Sequence, residues 1–81
     1  MPVTVRLFAR LREIAGTDEL SRPVGTPATV ADVWQAMTGE WPALTPYAGS
    51  VSCAVNAQYA RMTTAVQDGD EIAFLPPVSG G

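Results

Sequence analysis

The chain closes on Val78-Ser79-Gly80-Gly81, directly behind a double proline, Pro76-Pro77. With average glycine usage of about 7%, a terminal Gly-Gly arises by chance in roughly 0.5% of chains, so this ending reads as equipment. Glycine has no Cβ and can thread a narrow channel with backbone angles closed to other residues. The one reactive group on such an end is the α-carboxylate of Gly81, which makes the protein's own terminus the expected substrate. A carboxylate is a poor electrophile until its oxygen departs with a good leaving group, as covalent group transfer requires. Pro76 and Pro77 cannot donate ladder hydrogen bonds, so they stop the preceding strand. They also hold the start of the tail extended, in polyproline geometry.

Nothing else in the chain could activate that carboxylate. There is no His for acid–base work, no Lys, and no Gly-rich loop with a phosphate-gripping Lys. Catalytic side chains must come from partners. The five cations are all Arg, scattered among eight acids for a net charge of −3, and they form no basic stripe for nucleic acid. An acidic body suits a basic docking surface. Cys53, the single cysteine, cannot close an internal disulfide and, without histidine, assembles no metal cluster. It shares its parity with Val51 and Val55 and is expected to be a buried, inert thiol. Asp68, Asp70 and Glu71 lack a longer ligand set and are assigned to turn chemistry. Met1 to Arg6 carries no charged leader with an apolar core, and no apolar run approaches the roughly 20 residues of a membrane span. The expectation is a soluble, cytoplasmic protein with neither a membrane nor a nucleic-acid partner.

The elements that must present the tail follow from periodicity. The chain has 81 residues, one domain's worth, and such a length buries only about 60% of its extended surface. Val3, Val5 and Leu7 alternate with Thr4 and Arg6 as in a half-buried strand, which puts Phe8 on the face away from the core. Ala9 to Ala15 reads as a short helix closed by Gly16. A weaker strand, Glu19 to Val24, is interrupted by Pro23 and so belongs on an edge. The clearest helix starts at Thr29, with Asp32 completing a capping box, and runs through Val30, Val33, Trp34 and Met37 to an end at Gly39. Trp41 to Tyr47 is too rich in proline for regular structure and is expected as a packed loop with a single helical turn. A strand through Val51, Cys53 and Val55, a turn at Asn56-Ala57-Gln58 and a short strand from Tyr59 to Met62 come next. Asp68-Gly69 turns the chain into the last strand, Glu71 to Leu75. The order β-α-β-α-β-β-β favours a mixed sheet covered by a helix on one face. By parity Ile72 and Phe74 join the core, leaving Leu75 on the same outer face as Phe8.

Three runs carry a family resemblance. They are Val5-Arg6-Leu7-Phe8-Ala9-Arg10-Leu11-Arg12-Glu13-Ile14-Ala15-Gly16, then Ala54-Val55-Asn56, then Asp68-Gly69-Asp70-Glu71-Ile72-Ala73-Phe74-Leu75-Pro76-Pro77-Val78-Ser79-Gly80-Gly81. With the element order, they resemble the ubiquitin-like β-grasp sulfur carriers, and within these the small sulfur-carrying subunits of molybdopterin synthase. The resemblance spans the chain and is most specific in its final block. Leu75 departs from it, standing where a second aromatic is common, and the Trp41 to Tyr47 segment matches loosely.

The resemblance implies an α+β, β-grasp fold. A mixed sheet of about five strands is covered by a main helix over residues 1–75, and a flexible C-terminal tail spans 76–81. It implies that an adenylating enzyme spends ATP to activate Gly81, that a sulfur donor protein converts it to a thiocarboxylate, and that no cofactor is stably bound. The loaded tail, Pro76, Pro77, Val78, Ser79, Gly80 and Gly81, then enters the large synthase subunit of a heterotetramer and donates sulfur to cyclic pyranopterin monophosphate. In that fold the first and last strands are parallel neighbours, so Phe8 and Leu75 lie side by side at the tail exit, and the resemblance adds Tyr59 to the same docking face. Three other readings stay open: a thiamine-pathway sulfur carrier, a ubiquitin-like protein modifier, and an interaction module with an inert tail.

Overall fold

The computed structural model describes residues 2–25 and 28–77. Strand β1 (Val3–Leu7) has strictly alternating burial, with Val3, Val5 and Leu7 almost fully buried. Helix α1 (Ala9–Ala15) follows after an extended Phe8 and closes on Gly16, whose φ of 75° lets its N–H reach the Arg12 carbonyl. Strand β2 (Glu19–Arg22) stops directly before Pro23, short of the Val24 end that the sequence predicts. It forms an edge of the sheet, as the proline required.

Helix α2 (Val30–Glu40) begins with the expected capping box. The Asp32 N–H donates to Thr29 Oγ1 at 3.4 Å, and the Thr29 N–H donates to Asp32 Oδ2 at 2.8 Å. Val30, Val33, Trp34 and Met37 form its buried stripe. The helix does not end at Gly39. It runs to Glu40, and Trp41 caps it with φ −124° and ψ 85°. Pro42 is the physical stop, because its ring excludes the α conformation for the residue before it. The following segment is more regular than expected. Pro42–Tyr47 is a 3-10 helix with Leu44 buried, and prolines are tolerated there because it starts on Pro42 and takes short i→i+3 bonds.

Strand β4 (Ser52–Val55) starts one residue later than the sequence indicated, since the Val51 N–H is taken by the Tyr47 carbonyl at 2.7 Å. Strand β5 (Gln58–Ala60) ends before Met62 because the Arg61 N–H turns onto Thr64 Oγ1. Two short strands, β3 (Ala28–Thr29) and β6 (Ala65–Val66), pair antiparallel as a separate ribbon and were not foreseen. Strand β7 (Glu71–Leu75) falls where expected.

The main sheet has the order β2-β1-β7-β4-β5, with β1 and β7 parallel and the other pairs antiparallel. One face receives α2, and Trp34 meets Phe74 with ring centroids 4.9 Å apart and planes at 55°, a favourable tilted contact. Leu11 from α1 and Leu44 from the 3-10 helix complete the core.

The β4–β5 turn is strained. Asn56 and Ala57 both adopt positive φ, 51° and 70°, as tight two-residue hairpin turns demand. Asn tolerates this region, but alanine does so at a cost of about 1–2 kcal/mol. Ala57→Gly should therefore stabilise the domain by about 1 kcal/mol, a rise in Tm of about 4–8 °C at this size. A calorimetric scan showing no rise would contradict that account of the turn.

Candidate functional site

The site is built outward from the last strand. Because β7 lies between β1 and β4, its outer-face residues sit mid-sheet. Leu7 pairs with Phe74, so Phe8 and Leu75 are the next step along the same parallel ladder, at the end where the chain leaves β7. Leu75 stands opposite Ser52, Ala73 opposite Ala54, and Ala54 opposite Tyr59. Arg6 pairs with Ala73, giving the outer-face row Arg6, Ala73, Ala54, Tyr59 across four strands. Among the described residues, Phe8 and Tyr59 are the exposed large hydrophobics, at 39% and 84% exposure, while Leu75, Ala73 and Ala54 are partly exposed.

Tyr59 shares the outer face with Phe8 and Leu75 but stands apart from them. With strands about 4.8 Å apart, Tyr59 on β5 stands two strands beyond Leu75 and one row further from the tail. Between the aromatics lies a shallow floor of Ala54 and Ala73. Parity alone could have found that floor, since both alanines alternate with core residues. Arg6 was also missed. Its guanidinium sits 5.8 Å from the Phe8 ring centroid and 3.9 Å from the Glu71 carboxylate. It orients the Phe8 ring by a cation–π contact and gives the apolar patch a charged border, as docking faces commonly have.

A polar clamp fixes the approach to β7. The Asn56 side-chain amide donates to Asp70 Oδ1 at 3.0 Å, and its Oδ1 accepts from the Glu71 N–H at 3.0 Å. The other Asp70 oxygen accepts from the Gln67 N–H at 3.0 Å. Asp70 is thereby engaged in turn chemistry, and no cluster of three or more metal-ligating side chains occurs among the described residues. Arg10 and Glu13 form an exposed pair at 3.5 Å on α1, worth at most a few tenths of a kcal/mol.

Cys53 is buried and its thiol donates to the Ala60 carbonyl at 3.3 Å. Burial pushes the thiol pKa up, since desolvation disfavours the thiolate. Alkylation of the folded protein by iodoacetamide at neutral pH should run at least about tenfold slower than that of free cysteine. A comparable rate would show the thiol to be accessible.

Pro76 and Pro77 follow β7 outside any regular element, the first partly exposed and the second exposed. Val78, Ser79, Gly80 and Gly81, the reactive end of the expected site, lie outside the described residues. Among those described, no helix is long and apolar enough to cross a membrane.

A five-stranded mixed sheet with parallel first and last strands, gripping one main helix and releasing the chain from its central strand, defines a ubiquitin-like β-grasp domain. Residues 5–81 match the ThiS family, and the chain belongs to it. The molybdopterin synthase sulfur carrier subunit of Chlamydomonas reinhardtii is 36% identical over 83 aligned residues, covering 100% of both chains. The crystal structure of SAMP1, small archaeal modifier protein 1, from Haloferax volcanii superposes with a TM-score of 0.88 at 34% identity over 100% of both chains. A chain from the complex of subunits 1 and 2 of molybdopterin-converting factor from Helicobacter pylori 26695 gives a TM-score of 0.68 at 27% identity, again over 100% of both.

Proposed function

We propose that this chain is the sulfur carrier of molybdopterin synthesis. In this reading the Gly81 carboxylate is adenylated by an activating enzyme at the expense of ATP and converted to a thiocarboxylate by a sulfur donor protein. The loaded tail, Pro76 to Gly81, then enters the large synthase subunit and gives its sulfur to cyclic pyranopterin monophosphate. The body, residues 1–75, supplies no catalytic side chain and holds no cofactor. Its task is docking through Phe8, Leu75 and Tyr59, with the Ala54–Ala73 floor between them. The observation that carries the reading is the full-length similarity to named carrier subunits, joined to a tail that leaves the sheet beside an exposed apolar patch. The Helicobacter pylori complex, in which a similar chain is seen with a second subunit, supports the large subunit as partner.

Likeness to SAMP1 favours one other reading, a ubiquitin-like modifier joined through Gly81 to amines of target proteins. One experiment separates the two. The purified chain is incubated with an activating enzyme, ATP and a sulfur source, and its intact mass is read. A gain of about 16 Da, the exchange of one oxygen for sulfur at an activated carboxylate, identifies a carrier. Conjugates on other proteins identify a modifier, and an unchanged mass without conjugates rejects both. Adding the large subunit and the pterin precursor, then assaying for dithiolene, distinguishes molybdopterin synthesis from the thiamine pathway.

A further inference from the structure

We infer that Ala9 is a positioning residue for docking: its left-handed backbone, at an exposed position, is what sets the Phe8 ring on the outer face of the sheet. This rests on the reading above, that Phe8 docks on a partner. Ala9 has φ 50° although it opens α1, where a right-handed residue has φ near −63°. Its side chain is exposed, so core packing does not select it. A residue with a Cβ keeps left-handed angles only where its surroundings over-determine them, and such strain collects at functional sites.

The joint between β1 and α1 departs from helix chemistry twice in succession. Before the strained Ala9, Phe8 stands at the N-cap without a side-chain cap hydrogen bond, and no acidic residue follows in the first turn. Ser, Thr, Asp or Asn at that position would satisfy one of the free N–H groups. The same chain writes a complete capping box at the start of α2, so a well-formed start is within its means. What stands at position 8 instead is an exposed aromatic ring, at the end of the sheet where the chain leaves β7. Local rules broken at neighbouring residues mark a place shaped for function.

The backbone shows how Ala9 acts on Phe8. Leu7 and Leu11 both lie in the core, so the chain must pass out to Phe8 and return between them. The Phe8 carbonyl accepts from the Leu11 N–H at 3.1 Å and the Arg12 N–H at 3.4 Å, which ties it to the first turn of α1. Turning residue 9 to right-handed angles is a rotation of about 110° about its N–Cα bond. With Leu7 and Leu11 fixed, Phe8 is the residue left to absorb that rotation. Its ring would then leave the Arg6 guanidinium, which sits 5.8 Å from the ring centroid and 3.9 Å from the Glu71 carboxylate. Ala9 and Arg6 hold the ring from two sides, one through the backbone and one through a cation–π contact.

The test sorts substitutions at position 9 by their tolerance of positive φ and uses two readouts. In the free full chain, the Phe8 ring current shifts the Arg6 δ-methylene protons, which NMR reads without any partner. Affinity for a large synthase subunit is read by calorimetric titration well below Tm. Ala9→Gly and Ala9→Asn, which accept left-handed angles, should keep the shift and bind within about twofold of wild type. Ala9→Val, close to asparagine in size but averse to those angles, should stay folded, lose the shift and bind at least about tenfold more weakly. If Ala9→Val does not fold, Ala9→Leu takes its place with the same expected losses. A shift retained by the Val or Leu variant overturns the inference, as does a loss in Ala9→Asn equal to that in Ala9→Val, because size alone would then explain it. Normal affinity in Ala9→Val alone also overturns it. Normal affinity in both Ala9→Val and Phe8→Glu means instead that the docking reading has failed, so the two failures are separately visible.

Discussion

Deleting Gly81 is expected to reduce sulfur transfer to background in a reconstituted assay, a loss of at least about a thousandfold, while leaving Tm unchanged. Shortening the tail by one residue withdraws the carboxylate by about 3.5 Å, and a misplacement of 1 Å can already cost on the order of a hundredfold in a positioned reaction. The fold should not register the change, because the described core is complete by Phe74 and β7 ends at Leu75. Two measurements on one variant decide the matter. Full-rate transfer by the shortened chain would remove the terminus from the chemistry. A depressed Tm would instead mean that the tail packs on the body.

Phe8→Glu should weaken association with a large synthase subunit by at least about a hundredfold, roughly 3 kcal/mol, without unfolding the domain. A carboxylate driven into an apolar interface loses its hydration without gaining a partner. In the free protein the same carboxylate is harmless, because position 8 is 39% exposed and the Arg6 guanidinium lies 5.8 Å from the present ring, ready to pair with it. Tyr59→Ala should cost less, since Tyr59 stands at the far border of the patch. Calorimetric titration of both variants gives the order. Unaltered binding by Phe8→Glu would place the interface elsewhere.

How much of this was legible in the sequence depended on whether the signal was local. Strand β1 announced itself because Val3, Val5 and Leu7 alternate over a full strand, and α2 because Thr29 and Asp32 cap a four-residue apolar stripe. Both rest on neighbours within one turn or one pleat. Strands β3 and β6 have two residues each, too few for any period, and exist through pairing of Ala28 with Val66 across the chain. Gly39 misled because glycine at a helix end usually marks its stop, whereas the constraint came from Pro42. The candidate face divided the same way. Phe8 and Leu75 followed from parity, but a three-residue β5 has no parity of its own, so Tyr59 came from family resemblance. The Arg6–Phe8 contact depends on rotamers that no sequence pattern encodes.

The place of β7 between β1 and β4 has a consequence for damaged copies. A break before residue 71 takes out the middle strand of the sheet and with it Ile72 and Phe74 of the core. A cut beyond Leu75 spares every strand among the described residues and leaves the outer face with Phe8 and Tyr59 intact. On the proposed reading, a chain trimmed there would keep its fold and its Phe8–Leu75 face while losing the carboxylate, and would compete with intact copies for the same partner.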